Sequence, residues 1–450
     1  MTNRIYEERL GTDRMLPLIF RMALPAVAAQ LVNLLYSIVD RIYIGHIPGI
    51  GTDALAGIGV TSSIIILISA FSAIVGGGGA PLAAIALGQG RRERASRILG
   101  NGTVLLVGFT VVTSTTAYLF MTPILTFAGA SAHTIGYARD YLSVYLTGTL
   151  FVELSVGLNT FINTQGRPAI AMWSVIIGAV LNIGLDPLLI FGFHMGVKGA
   201  AWATVISQAC SALWIIGFLT SHRATLRLQP RYMRWDGAIV RSILALGISP
   251  FIMACTESLI GFVLNSSLKA YGDIYISALA IMQSAMLFVS VPLTGFAQGF
   301  VPVASYNYGH GNRERLKACF RIVLLTMFSF NLILIVLMLC LPHLVSAAFT
   351  NDGRLIATVE QMMPLFLSGM SIFGLQRACQ NTFVALGAAR ISVFIALLRK
   401  VFLLVPHFWG MKGVFLAESI SDATAAICCT LIFTYQFPRI LAHMKEPKAA

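Results

Sequence analysis

Twelve long apolar runs dominate this chain and constrain it more than any motif does. They fall at about 16–45, 55–86, 98–121, 137–163, 170–192, 198–219, 241–270, 277–305, 318–341, 358–385, 391–406 and 412–436. A helix needs roughly 20 apolar residues to cross a bilayer, and only the run at 391–406 is clearly shorter. A backbone in lipid must satisfy its own polar groups, so helices are the natural spanning element. The expected fold is an all-α membrane protein of twelve transmembrane helices. Charged residues make up 11% of the chain, against about 25% in soluble domains. That excludes a disordered chain, a solvated nucleic-acid binder and almost any soluble enzyme. The seven cysteines lie in or beside apolar runs without metal-ligand spacing, and read as small hydrophobes.

The positive charge is an orientation signal. With the N-terminus inside, 22 Lys and Arg fall on cytoplasmic segments and 6 on the outer side. This bias places both termini in the cytoplasm of a multi-pass inner-membrane protein. The polar start, Met1 to Arg14, shows no cleavage pattern.

The chain also repeats itself. Gly88-Gln-Gly-Arg-Arg-Glu-Arg94 recurs as Gly309-His-Gly-Asn-Arg-Glu-Arg315, and Asn159-Thr-Phe161 as Asn381-Thr-Phe383. Ala54-Leu-Ala56 recurs as Ala278-Leu-Ala280, and Pro25 matches Pro250. The halves are drawn as an N-terminal six-helix lobe over 1–220, a cytoplasmic linker over 221–240 and a C-terminal six-helix lobe over 241–450. Six is even, so both copies enter the membrane the same way round. Two such bundles around a shared cavity suit a transporter with alternating access.

Ionisable groups inside spans are functional candidates. Asp40, Glu153, Asp186, Glu257, Glu418 and Asp422 qualify. Asn33, Tyr36 and Asp40 share one stripe of the first helix; Asn159 and Asn163 share a face of the fourth. Asn182 and Asp186 do so on the fifth, Thr204 and Gln208 on the sixth. These stripes should face one another rather than lipid. Asp186 lies roughly 24 Å from the inner end of its span and Thr204 roughly 9 Å from its outer end. Asp40, Asn182, Asp186 and Thr204 can therefore form one oxygen-rich cluster, able to hold Na⁺ or to trap a proton on a carboxylate. Pro25 removes a backbone hydrogen bond below Asp40 and permits a hinge. Glu257 could meet a second cation or a cationic substrate. Arg399 and Lys400 are possible counter-ions for Glu418 and Asp422. Glu153 and Arg377 take no assignment. The glycine run Gly76–Gly79 lacks a following Gly-Lys-Ser/Thr and reads as close helix packing or a flexible second helix. No Walker motif, catalytic dyad or metal-ligand cluster is visible, so neither ATP-driven transport nor an enzyme is expected.

The stretches Ala23-Leu-Pro25 and Leu35-Tyr-Ser-Ile-Val-Asp40-Arg-Ile-Tyr-Ile-Gly-His46 resemble the first helix of multidrug and toxic compound extrusion (MATE) transporters. Asn182-Ile-Gly-Leu-Asp-Pro187, Gln165-Gly166-Arg-Pro168 and Gly196-Val-Lys-Gly-Ala-Ala201 extend the resemblance along the chain, nearest to the bacterial MepA/DinF-like branches. The resemblance implies a V-shaped fold of two lobes. It also implies export of cationic or amphipathic drugs in exchange for H⁺ or Na⁺, with no other cofactor. It places the cation site on Asp40, Asn182, Asp186 and Thr204, the kinking proline on Pro25 and drug contacts on Tyr36 and Asn159. Asn163 and Glu257 join the substrate candidates. The family's acid on the tenth helix has no counterpart here; Arg377 stands there instead, which argues against a complete site in the second lobe. A monomer surrounded by lipid is expected, with small molecules and no nucleic acid as partners. The alternative within the same architecture is a lipid-linked oligosaccharide flippase, which would require more basic residues in the cavity than Arg377, Arg399 and Lys400 supply.

Overall fold

The apolar runs become helices in the computed structural model, which describes residues 2–268, 271–398 and 406–444. The first half holds α1 (Met15–Gly45), α2 (Gly51–Gly88), α3 (Arg92–Leu119), α4 (Ile135–Thr164), α5 (Pro168–Gly192) and α6 (Gly196–Thr220). The second holds α7 (Gly237–Leu268), α8 (Asp273–His310), α9 (Arg313–Cys340), α10 (Gly353–Ala385), α11 (Ala389–Leu398) and α12 (Pro406–Ala442). Among the described residues, 11 helices are long and apolar enough to cross a membrane; α11 stops at the edge of the described region. α5 and α6 each have 25 residues, about 37 Å of rise, more than the roughly 30 Å of hydrocarbon. Val112, Val180, Leu213 and Ile333 are between 63% and 66% exposed, as side chains on a lipid-facing surface are.

The repeat is written into the turns. Gly90, between α2 and α3, and Gly311, between α8 and α9, both have left-handed φ, +73° and +85°. Gly166 and Gly387 repeat this between α4 and α5 and between α10 and α11, at +74° and +69°. Side chains rarely adopt these angles, so each half reverses direction with the same device.

The halves meet through crossed pairs: α1 packs on α8, and α2 on α7. A Cβ on Gly88 would strike the Tyr306 carbonyl, and one on Gly309 would strike the Ile85 carbonyl. Gly78 and Gly247 make the same reciprocal approach between α2 and α7. The glycine run therefore serves close packing. Its residues form a π-turn, Val75–Gly79, inside α2.

Sequence reasoning read the first fourteen residues only as a polar start. They hold a helix, Thr2–Thr12, that touches both halves at their Arg-rich end. Towards the first half, Glu7 pairs with Arg92 at 3.1 Å and the Arg167 guanidinium lies 4.4 Å from the centre of the Tyr6 ring. Towards the second, Asn307 Nδ2 and Arg315 Nη2 donate to the Leu10 carbonyl at 2.9 and 3.3 Å. Arg315 Nη2 also donates to the Asp13 carbonyl at 2.9 Å. The connection between the halves is strapped to the first. Gln165 Oε1 accepts from the Thr225 and Leu226 amides, and Asn101 Oδ1 from the Asp236 amide. Helix α7 begins at Gly237, so the last four residues of the expected linker are helical.

Candidate functional site

The polar stripes of the first half converge. They line a cavity of about 470 Å³ enclosed by α1, α2, α4, α5 and α6. Asn33, Tyr36 and Asp40 enter from α1, Asn159 and Asn163 from α4, Asn182 from α5, and Thr204 and Gln208 from α6. Helical spacing brings these groups to one face of each element, and antiparallel neighbours then stack the faces around a common space.

At the far end from the Arg-rich loops, the Asp40 and Asp186 carboxyls come within hydrogen-bond reach of each other. Asp186 is fully buried behind the cavity wall. Its Oδ1 accepts from Asn182 Nδ2 at 3.4 Å. Asp40 Oδ1, Asp186 Oδ2 and Asn182 Oδ1 are buried without hydrogen-bond partners. Three acceptor oxygens thus have unused capacity, and the cationic side chain acting on Asp40 is its neighbour Arg41, which also lines the cavity. Two desolvated carboxyls this close disfavour holding both charges. Such a set can share one proton or, with the Thr204 hydroxyl, offer oxygens to a small hard cation.

Around this pair runs a hydroxyl and amide network. Tyr36 lines the cavity beside Gln208, whose Oε1 accepts from Ser155 at 2.7 Å. Tyr141, Tyr145, Ser69 and Thr204 line the same cavity, and Thr204 Oγ1 donates to the Ala200 carbonyl at 3.1 Å. Asn159 is tied between helices: its Nδ2 donates to the Ala171 carbonyl at 3.0 Å and to Ser174 Oγ at 2.7 Å. It both lines the cavity and joins α4 to α5. Asn163 is 3% exposed and keeps a free Oδ1. Pro25 lies within α1, where that helix packs on α8.

Tyr141, Tyr145 and Gln298 belong to the lining and were missed by sequence reasoning. The two tyrosines stand four apart on the face of α4 that leads to Asn159, so the helical period could have found them. Gln298 comes from α8 of the second half and accepts from Gln30 Nε2 at 3.2 Å; no local pattern signals it.

The second half differs. Arg377 Nη2 donates to Thr294 Oγ1 at 3.0 Å, and its guanidinium lies 5.2 Å from the Phe373 ring centre. Glu418 and Asp422 are buried on α12. Glu257 is on α7, but its side chain lies outside the described residues, as do Arg399 and Lys400.

The described helices, packed as two crossed copies with a polar cavity inside the first, define a repeat-built membrane transporter fold. The chain belongs to the MatE family, whose model matches it twice, over residues 25–188 and 250–409. The two matches begin at Pro25 and Pro250, the prolines that the internal repeat had paired. The multidrug export protein MepA of Staphylococcus haemolyticus is 24% identical over 415 residues, 91% of each chain. Its namesake in Staphylococcus saprophyticus is 25% identical over 419 residues, again 91% of each. Among solved structures, an outward-facing multidrug resistance MATE family transporter superposes with a TM-score of 0.89 at 22% identity, covering 96% of this chain and 98% of that one. A MATE transporter in a bent conformation gives 0.88 at 22%, covering 97% and 98%.

Proposed function

We propose that this protein is a cation-coupled exporter of cationic and amphipathic small molecules across the bacterial cytoplasmic membrane. The observation that carries this reading is the facing pair Asp40 and Asp186 beside a polar and aromatic cavity. At about 470 Å³ the cavity is in the range of small-molecule sites. The relatives' names as multidrug export proteins support it.

The coupling cation, H⁺ or Na⁺, enters from outside and binds at Asp40 and Asp186, with Asn182 and Thr204 completing the set. Substrate reaches the cavity from the cytoplasm and contacts Tyr36, Asn159 and Asn163. With both carboxylates charged, the cavity attracts an organic cation; neutralising them removes that attraction. Cation and substrate therefore compete for one electrostatic site, and the inward cation gradient drives substrate out. Pro25 supplies a place for α1 to bend as the cation binds. The Arg-rich loops support an orientation with both termini in the cytoplasm.

Asp40→Asn and Asp186→Asn keep the side-chain shape and remove the charge. Each is expected to abolish resistance to ethidium in a sensitive host while leaving the amount of protein in the membrane unchanged. Full resistance in both variants contradicts the assignment.

A further inference from the structure

Glu153 has no part in the cavity chemistry above, yet it is fully buried, and neither carboxyl oxygen has a hydrogen-bond partner or ion pair among the described residues. It lies on α4, next to cavity-lining Val152. Gly157 and Thr160 follow it on the same helical face. Gly157 approaches Leu106 of α3, and Thr160 approaches Gly76 in the π-turn of α2. That face turns towards α2 and α3.

Those elements bring no countercharge. Helix α2 has no ionisable residue after Asp53, and α3 has none between Arg97 and Tyr118. Helix α6 carries only Cys210 and Lys198, and Lys198 pairs with Asp140 at 3.3 Å. Helix α5 carries only Asp186, and α8 has nothing ionisable between Tyr275 and Tyr306. The short helix Met121–Phe127 has none. On α4 itself, the ionisable group that feels Glu153 is Tyr145. An unpaired carboxylate so placed is far costlier than a neutral carboxyl, so Glu153 holds a proton in this state.

We propose that Glu153 is a second proton-binding site of the first half, loaded in the state described here and emptied during the transport cycle. The proposal rests on the coupled-export reading. A permanently neutral group at this position needs no carboxyl, since an amide or an aliphatic side chain would fill it. The site backs onto the π-turn through which α2 meets α7. That surface must shift when the halves rock. The shift brings water to the carboxyl, the O–H bond breaks, the proton leaves to solvent and its electron pair stays on the carboxylate.

The test counts protons moved per ethidium exported by the full chain in proteoliposomes, with a pH dye on one side. E153Q is expected to lower the ratio about two-fold, as loss of one of two coupled protons requires, with ethidium affinity unchanged; E153D is expected to keep the ratio. A wild-type ratio in E153Q overturns the second site while leaving Asp40 and Asp186 in place. Wild-type exchange against Na⁺ with no proton movement also overturns it, and leaves the exporter reading standing. Should E153Q not reach the membrane, infrared spectra of wild type labelled with ¹³C-glutamate decide. A protonated glutamic acid band is expected; its absence overturns the proposal.

Discussion

At the scale of single residues, the proposed site gathers where polarity is least supported. Asp186 is fully buried with an unpartnered oxygen, and the Asn182 oxygen beside it is also unpartnered. In a region with little water, unused acceptor capacity is costly, and a bound cation relieves it. Tyr141→Phe removes a hydroxyl from the cavity wall that Thr204 also lines and should weaken coupling-cation affinity about five-fold, the value of roughly one hydrogen bond. A titration of ethidium release against the cation checks this. An unchanged midpoint would show that the Tyr141 hydroxyl takes no part in cation binding.

Most of the site was legible at this scale because an α-helix repeats every 3.6 residues. Asn33, Tyr36 and Asp40, or Asn182 and Asp186, announce a shared face before any neighbour is known. What stayed hidden was the contact between faces. The sequence places Asp40 and Asp186 at similar depth, but only the packing of α1 against α5 brings their carboxyls together. Gln298 reaches the cavity from the other half, through a meeting of helices that no local spacing records. Tyr141 and Tyr145 escaped because tyrosine is equally at home in packing.

At the scale of elements, two devices control the Arg-rich end. One is the helix Thr2–Thr12, bonded to the first half through Glu7 and to the second through the Leu10 carbonyl. Opening that end breaks these contacts. Deleting residues 2–12 should therefore raise labelling of a cysteine placed at Ile85 several-fold, in a background lacking the native cysteines, when an impermeant thiol reagent is applied from that side. Unchanged labelling would mean that the helix carries no closing strain. The other device is the crossing of Gly88 and Gly309. Gly309→Leu places a side chain against the Ile85 backbone, which cannot yield as a flexible side chain would. The same labelling assay should show this variant open as well. The sequence hinted at the crossing, since both glycines open the repeated basic motif, but their mutual contact follows from the pseudo-symmetry and not from either motif alone.

At the scale of the whole molecule, two copies of one design have taken different work. Both reverse at matched left-handed glycines, and they grip each other through equivalent helices. The first brings Asp40 and Asp186 together beside its cavity; in the second, α10 carries Arg377, which donates to Thr294. In the proposed cycle the symmetric frame would provide the rocking, and the asymmetric cavity would couple it to a gradient. The two-fold repeat was readable from four short matches in order. The proposed difference between the halves was readable only in part, through the missing acid on the tenth helix. The most direct measurement of this account is ethidium movement in proteoliposomes under separately imposed H⁺ and Na⁺ gradients, for wild type, Asp40→Asn and Asp186→Asn. The account predicts gradient-driven export in wild type under at least one of the two cations, and no response to either gradient in the two variants. Equal gradient-driven export by all three proteins would contradict it.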